Sequence, residues 1–186
     1  MPTHKPPARP AAVIHQQQRI YSGRVIDLDL VDVDLPNGHR TSLELISHPG
    51  GAAVVALNER QEVCLLYQYR QAVEGWLWEV PAGKLDGKPP EQTARAELAE
   101  EAGLTARDWR SLGTVVSSPG VFKEVVHLYL AQNLTPVPPN PEPSEVYEIA
   151  WISLKEALRQ ALTGELRDAK SVIALCRAAH CVGITF

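Results

Sequence analysis

The segment Ala96–Leu104, AELAEEAGL, sets three carboxylates within five residues: Glu97, Glu100 and Glu101. If the segment is helical, 3.6 residues per turn put all three on one face. Like charges at that spacing cost an isolated helix roughly 0.2–0.5 kcal/mol per pair. They also sit near a helix C-terminus, where the carbonyl dipoles are already negative and cations are preferred. Two readings account for such a cluster. It is a solvated acidic face, or it is a site for a hard cation. Mg²⁺ or Mn²⁺ takes carboxylate oxygens and keeps several waters for a phosphate-bearing substrate. The helix alone does not decide between them. Upstream lies PAGKLDG, Pro81–Gly87, a glycine loop that brings backbone carbonyls to the same end of the helix.

The elements that must position these groups follow from patterning. The pattern turns to strands from Arg19, and VIDLDLVDVDL (25–35) alternates apolar and acidic residues, with a phase slip at Leu30–Val31 that suggests a bulge or break. Asn37-Gly38 marks a hairpin, and TSLELIS is the return strand. AAVVALN and EVCLLYQY are strands joined by a polar turn, and GWLWEVPAGKLDGKPP is a loop with a short strand. Pro89 and Pro90 open a helix over about 90–102, and Gly103 closes it. Ala94, Leu98 and Ala102 form its apolar stripe, beside the glutamates rather than beneath them. The strands LGTVVSS and VVHLYLAQ follow, then the proline-rich stretch NLTPVPPNPEPSE and the strand YEIAWI. Ser153 and Glu156 form a capping box for a helix to about 163, and a last helix covers about 169–180.

The chain of 186 residues suits one domain with a small appendage. Its net charge of −4 and the absence of a Lys/Arg cluster speak against a nucleic-acid partner. Cys64, Cys176 and Cys181 form no paired framework, as expected in a reducing cytoplasm. No apolar run approaches the roughly 18 residues of a membrane span. The organisation expected is a disordered Pro-rich tail (1–18), an N-terminal β unit (19–48) and a main α/β (α+β) domain (49–186).

From Gly83 to Leu104 the chain resembles the Nudix box, the loop–helix signature of hydrolases acting on nucleoside diphosphates linked to another moiety. The helix half, E-L-x-E-E-x-G-L, is matched in full from Glu97 to Leu104. YQYRQAV, LWEVPAGKLD, SSPGVFKEVVHLYLAQNL and ELRDAKSVIAL are similar to the ADP-ribose pyrophosphatase branch. The resemblance implies an α/β/α sandwich with a mixed sheet, and Mg²⁺-dependent hydrolysis of ADP-ribose to AMP and ribose 5-phosphate, with Mn²⁺ as substitute. It implies Glu97, Glu101 and the Ala82 carbonyl as metal ligands, with Glu100 holding a second metal or a water. Glu145 is the implied general base, with Glu142 and Glu100 as alternatives. Arg70, Glu79 and Glu124 are implied substrate contacts. Trp76 and Trp78 are either adenine-stacking or core, and His127 is structural. Arg24 and Arg40 lie on the front β unit, which in similar enzymes crosses to the partner of a homodimer and helps enclose the adenosine. Alternative functions are hydrolysis of another nucleoside diphosphate sugar (GDP-mannose or ADP-glucose) and non-catalytic binding of ADP-ribose. The chain departs from the box at Lys88 and Ala96, where the family carries a glutamate and an arginine expected to pair, and its loop is one residue short. This is either a replaced brace or decay of the site.

Overall fold

A computed structural model describes residues 9–140 and 147–184. In chain order the elements are β1 (Val13–Ser22), β2 (Asp27–Asp34), β3 (Arg40–Ser47), β4 (Gly51–Ala56), β5 (Glu62–Arg70), β6 (Gly75–Glu79), β7 (Ala82–Lys84), α1 (Pro90–Ala102), β8 (Leu104–Val116), β9 (Phe122–Lys123), β10 (Val125–Pro136), β11 (Tyr147–Ser153), α2 (Leu154–Thr163) and α3 (Ala169–Cys181). They fall into two compact units, residues 1–48 with 118–123, and residues 49–117 with 124–186.

The first unit is a four-stranded sheet in the order β1-β2-β3-β9. Its first strand begins at Val13, six residues before the expected start, so residues 13–18 belong to the sheet and not to a tail. The hairpin at Asn37-Gly38 is a three-residue loop. The Gly38 amide donates to the Leu35 carbonyl, and Gly38 takes φ +82°, the left-handed position such a loop requires. The expected bulge in β2 is absent. Pairing of β2 with β3 is continuous from Asp27 to Asp34, and the register slips lie on β1, at His15 and Ile20. The apparent phase slip arises because Asp29 faces inward with Val31 and Val33. At 1% exposure it is held by Arg19 and Gln17. A carboxylate with paired oxygens occupies an interior position that apolar patterning assigns to leucine or valine.

The second unit places a mixed sheet, β7-β4-β10-β8, beside an antiparallel sheet, β11-β5-β6. GAAVVA is buried on both faces and reads as a continuous apolar run, as a central strand with a parallel neighbour should. Ala53 and Val55 join a core with Leu57, Leu65, Leu128 and Leu175 beneath α2 and α3. Ala52, Val54 and Ala56 join Ala94, Leu98 and Tyr129 beneath α1. The result is the expected α/β/α sandwich. β8 starts eight residues before the predicted strand, directly after α1, and pairs antiparallel with β10 from Leu104–Pro136 to Val116–Val125. It is a sheet edge, and its exposed Arg107, Asp108 and Arg110 hid it from pattern reading.

Candidate active site

α1 starts at Pro90, whose missing amide costs nothing there, and stops at Gly103. The Gly103 amide returns to the Leu98 and Ala99 carbonyls at φ +63°. Its buried face carries Thr93, Ala94, Leu98 and Glu101. Glu101 therefore belongs to the apolar stripe, at i+7 from Ala94, where the expected stripe had Ala102. The three glutamates are graded: Glu101 is 2% exposed, Glu97 half-buried and Glu100 exposed. A buried carboxylate needs a donor, and the Ala82 amide supplies one to Glu101 Oε2 at 2.9 Å. Glu97 lies over the next residue of the loop. A Cβ on Gly83 would fall 1.7 Å from Glu97 Oε1 and 2.2 Å from its Cδ, so a glycine is required there for the carboxylate to reach the loop. Thus β7 and the last turns of α1 bring Glu97, Glu101 and the Ala82–Gly83 backbone together.

A family model described as the NUDIX domain matches residues 47–175. The chain belongs to the NUDIX family. It is 38% identical over 162 residues to an ADP-ribose pyrophosphatase of Bacillus subtilis (strain 168), a match covering 86% of this chain and 88% of that protein. It is 33% identical over 156 residues to a GDP-mannose pyrophosphatase of Citrobacter koseri, covering 77% and 82%. A crystal structure of an ADP compounds hydrolase superposes with a TM-score of 0.81 at 21% identity, covering 97% of this chain and 100% of that one, which shows the fold.

ADP-ribose pyrophosphatases of the NUDIX family are metal-dependent hydrolases. Among the described residues no three His, Cys, Asp or Glu side chains group as a ready-made cage. The donor set here is two hard carboxylates beside a backbone turn. It suits a cation such as Mg²⁺, which binds through one or two carboxylates and keeps its remaining positions for water and substrate oxygens. Burial, and then the Glu101 charge, push the Cys64 thiol up to about 12, so it is protonated at neutral pH in the metal-free protein.

The NUDIX loop is held without the usual ion pair. Lys88 is exposed and Ala96 half-buried. Arg95, next to the vacant arginine position, pairs with Glu91 and lies 4.5 Å from the centroid of the Trp109 ring. Instead, the Leu85 amide donates to Gly50, the Lys88 amide donates to Leu85, and the Leu85 side chain packs beside α1.

Arg70, paired with Gly75 at one end of the β5–β6 ladder, reaches along the sheet to Glu79, which stands opposite Leu66 at the other end. Arg70 Nε and Nη2 donate to the two Glu79 oxygens at 2.8 and 2.9 Å, while the arginine stays partly exposed. Lys170 Nζ adds a bond to Glu79 at 2.5 Å and one to Asp168 at 2.9 Å. Asp168 caps α3 through the Ser171 amide, and Ser171 Oγ accepts from the Val80 amide. Burial alone raises the Glu79 carboxyl. The Arg70 and Lys170 bonds outweigh it and hold the group below the usual range. Lys170, Asp168 and Ser171 escaped the sequence reading of roles, although they lie in the quoted ELRDAKS. The usable signal was an Asp N-cap followed by a lysine two residues on.

Glu124 is half-buried between β9 and β10, and His127 lies within β10. Trp76 and Trp78 stack around Tyr67, with ring centroids 5.3 and 4.7 Å away. Arg40 makes a two-pronged pair with Asp34, which also meets His15, and Arg24 is exposed before β2. Glu142 and Glu145 lie outside the described residues.

Proposed function

We propose that this NUDIX hydrolase splits the diphosphate of ADP-ribose to AMP and ribose 5-phosphate with Mg²⁺, or Mn²⁺ in its place. The observation that carries this reading is the pair of carboxylates gathered at Ala82 and Gly83, one buried on an amide and one filling the space a glycine leaves. The 38% identity to an ADP-ribose pyrophosphatase supports the sugar nucleotide.

Glu97, Glu101 and the Ala82 carbonyl would hold the cation, and Glu100 would hold a second cation or a water. When bound, the cation neutralises phosphate charge and acidifies a water. Glu145 takes the proton of the water attacking phosphorus as the bridging P–O bond breaks, and Glu142 is the alternative base. Arg70, fixed by Glu79, uses its outer N–H groups on the diphosphate or the terminal ribose. Glu124 makes a polar substrate contact. Residues 49–186 form the catalytic domain. The β unit pairs two protomers as a homodimer, and its Arg24 and Arg40 contact the adenosine. All ten residues of β1 are exposed, including Val13, Ile14, Ile20 and Tyr21, which supports a covering partner. Among the described residues no helix is long and apolar enough to cross a membrane. The three cysteines are free, which supports a cytoplasmic location.

A second reading, hydrolysis of GDP-mannose or ADP-glucose, has the Citrobacter koseri relative in its favour. Initial rates on ADP-ribose, ADP-glucose and GDP-mannose at equal Mg²⁺, with nucleotide products identified, separate the two. ADP-ribose should lead kcat/KM by about tenfold, a difference of about 1.4 kcal/mol in transition-state binding. A lead for GDP-mannose establishes the second reading. Tight binding of ADP-ribose without turnover establishes a binding module.

A further inference from the structure

The C-terminal end of α1 combines two costs. Its last carbonyls lack helical partners, and two metal-binding carboxylates are proposed to sit at that negative end. Donors from outside the helix answer both. The Val137 amide donates to Gly103 O at 2.9 Å, and the Asn140 amide donates to Glu100 O at 3.0 Å. The Tyr147 hydroxyl donates to Glu101 O at 2.8 Å. Two of these are backbone bonds that any residue but proline at Val137 and Asn140 can make. The third comes from a side chain that begins β11, fixed in register opposite Gln68 of β5.

Glu101 is thus gripped at both ends. Its carboxylate takes the Ala82 amide, and its carbonyl takes the Tyr147 hydroxyl. We propose that Tyr147 is a positioning residue for the cation site, acting through Glu101. Its hydroxyl fixes the last turn of α1, and so the carboxylate's place, and partly cancels the negative field of that helix end without adding charge to the site. The inference rests on the reading of Glu101 as a metal ligand.

The test compares wild type, Tyr147→Phe and Glu101→Gln. It measures Mn²⁺ binding to each protein by titration calorimetry, metal-free Tm, and rate against Mg²⁺ concentration. Phenylalanine keeps the ring and its packing, so the fold is retained, and the metal-free Tm checks this. Tyr147→Phe should bind Mn²⁺ about ten-fold more weakly, the lower range seen when the supports of metal ligands are removed. It should need correspondingly more Mg²⁺ for half-maximal rate, while kcat at saturating metal stays within about twofold. A role in folding alone lowers the Tm and leaves Mn²⁺ affinity untouched, and that result overturns the proposal while Glu101→Gln still weakens binding. If Glu101→Gln also leaves Mn²⁺ binding unchanged, the metal reading itself has failed and this inference falls with it.

Discussion

Glu145 and Glu142 carry the same group three positions apart, and what separates them is surroundings. Glu142 stands between Pro141 and Pro143, whereas Glu145 lies six residues before Trp151, where the resemblance implies an acidic residue. Removing a general base costs about 10²–10⁴ in rate. Steady-state kinetics at saturating Mg²⁺ should show that loss in kcat for Glu145→Gln with KM little changed. Glu142→Gln should stay near wild type, and the reverse pattern moves the base to Glu142. The Ala82 amide meets Glu101 and Glu97 lies over Gly83. The pairing of Arg70 with Glu79 was not visible, because it joins positions across a hairpin whose register only the folded β5 and β6 define. The partners from Asp168 to Ser171 are about 90 positions away from Glu79 in the chain.

At the scale of elements, the contact between β7 and α1 makes a direct prediction. Gly83→Ala forces a Cβ into the space of the Glu97 carboxylate, which is the flexible end of a side chain and swings away. The fold should survive, with a circular dichroism spectrum like wild type. A misplacement of about 1 Å costs up to about 10²-fold in rate, so activity should fall by that order. Wild-type turnover by Gly83→Ala removes Glu97 from the site. The anchor of α3 on β6 makes a second. Lys170→Met takes one of the cations from buried Glu79, which keeps Arg70, and should cost about 1–3 kcal/mol at neutral pH in urea unfolding. Glu79 has its folded pKa held below the ordinary value. Its ionic bonds therefore stabilise the protein above the unfolded pKa of about 4.3, and that contribution disappears as pH falls through the lower, folded value. Lys170→Met should flatten the acid limb of stability against pH. A limb as steep as wild type refutes the assignment. Helix bounds were legible, since prolines and Gly103 punctuate α1. β8 was not, because an edge strand with charges on its open face lacks the alternation of a half-buried one.

At the scale of the whole molecule, the chain divides into a sandwich and a smaller sheet whose first strand is exposed along its length. Ile14→Asp and Ile20→Asp each put a charge on that strand. Light scattering after gel filtration should give the mass of two chains for wild type and of one for the variants. A wild-type monomer at micromolar concentration contradicts the homodimer. The sandwich was foreseeable from element order and the box. The extent of β1 was not, because His15 and Ile20 sit at register slips and break its alternation. Two carboxylates of α1, set against Ala82 and Gly83, are proposed to make a cation site for diphosphate hydrolysis. The most direct measurement is AMP formation from ADP-ribose across a Mg²⁺ titration, for wild type and Glu101→Gln. AMP and ribose 5-phosphate should form only with the cation, and the variant should lose on the order of 10²-fold or more in rate, the scale of removing one preorganised electrostatic group. A folded Glu101→Gln that releases AMP at the wild-type rate with the same Mg²⁺ dependence contradicts the cation site.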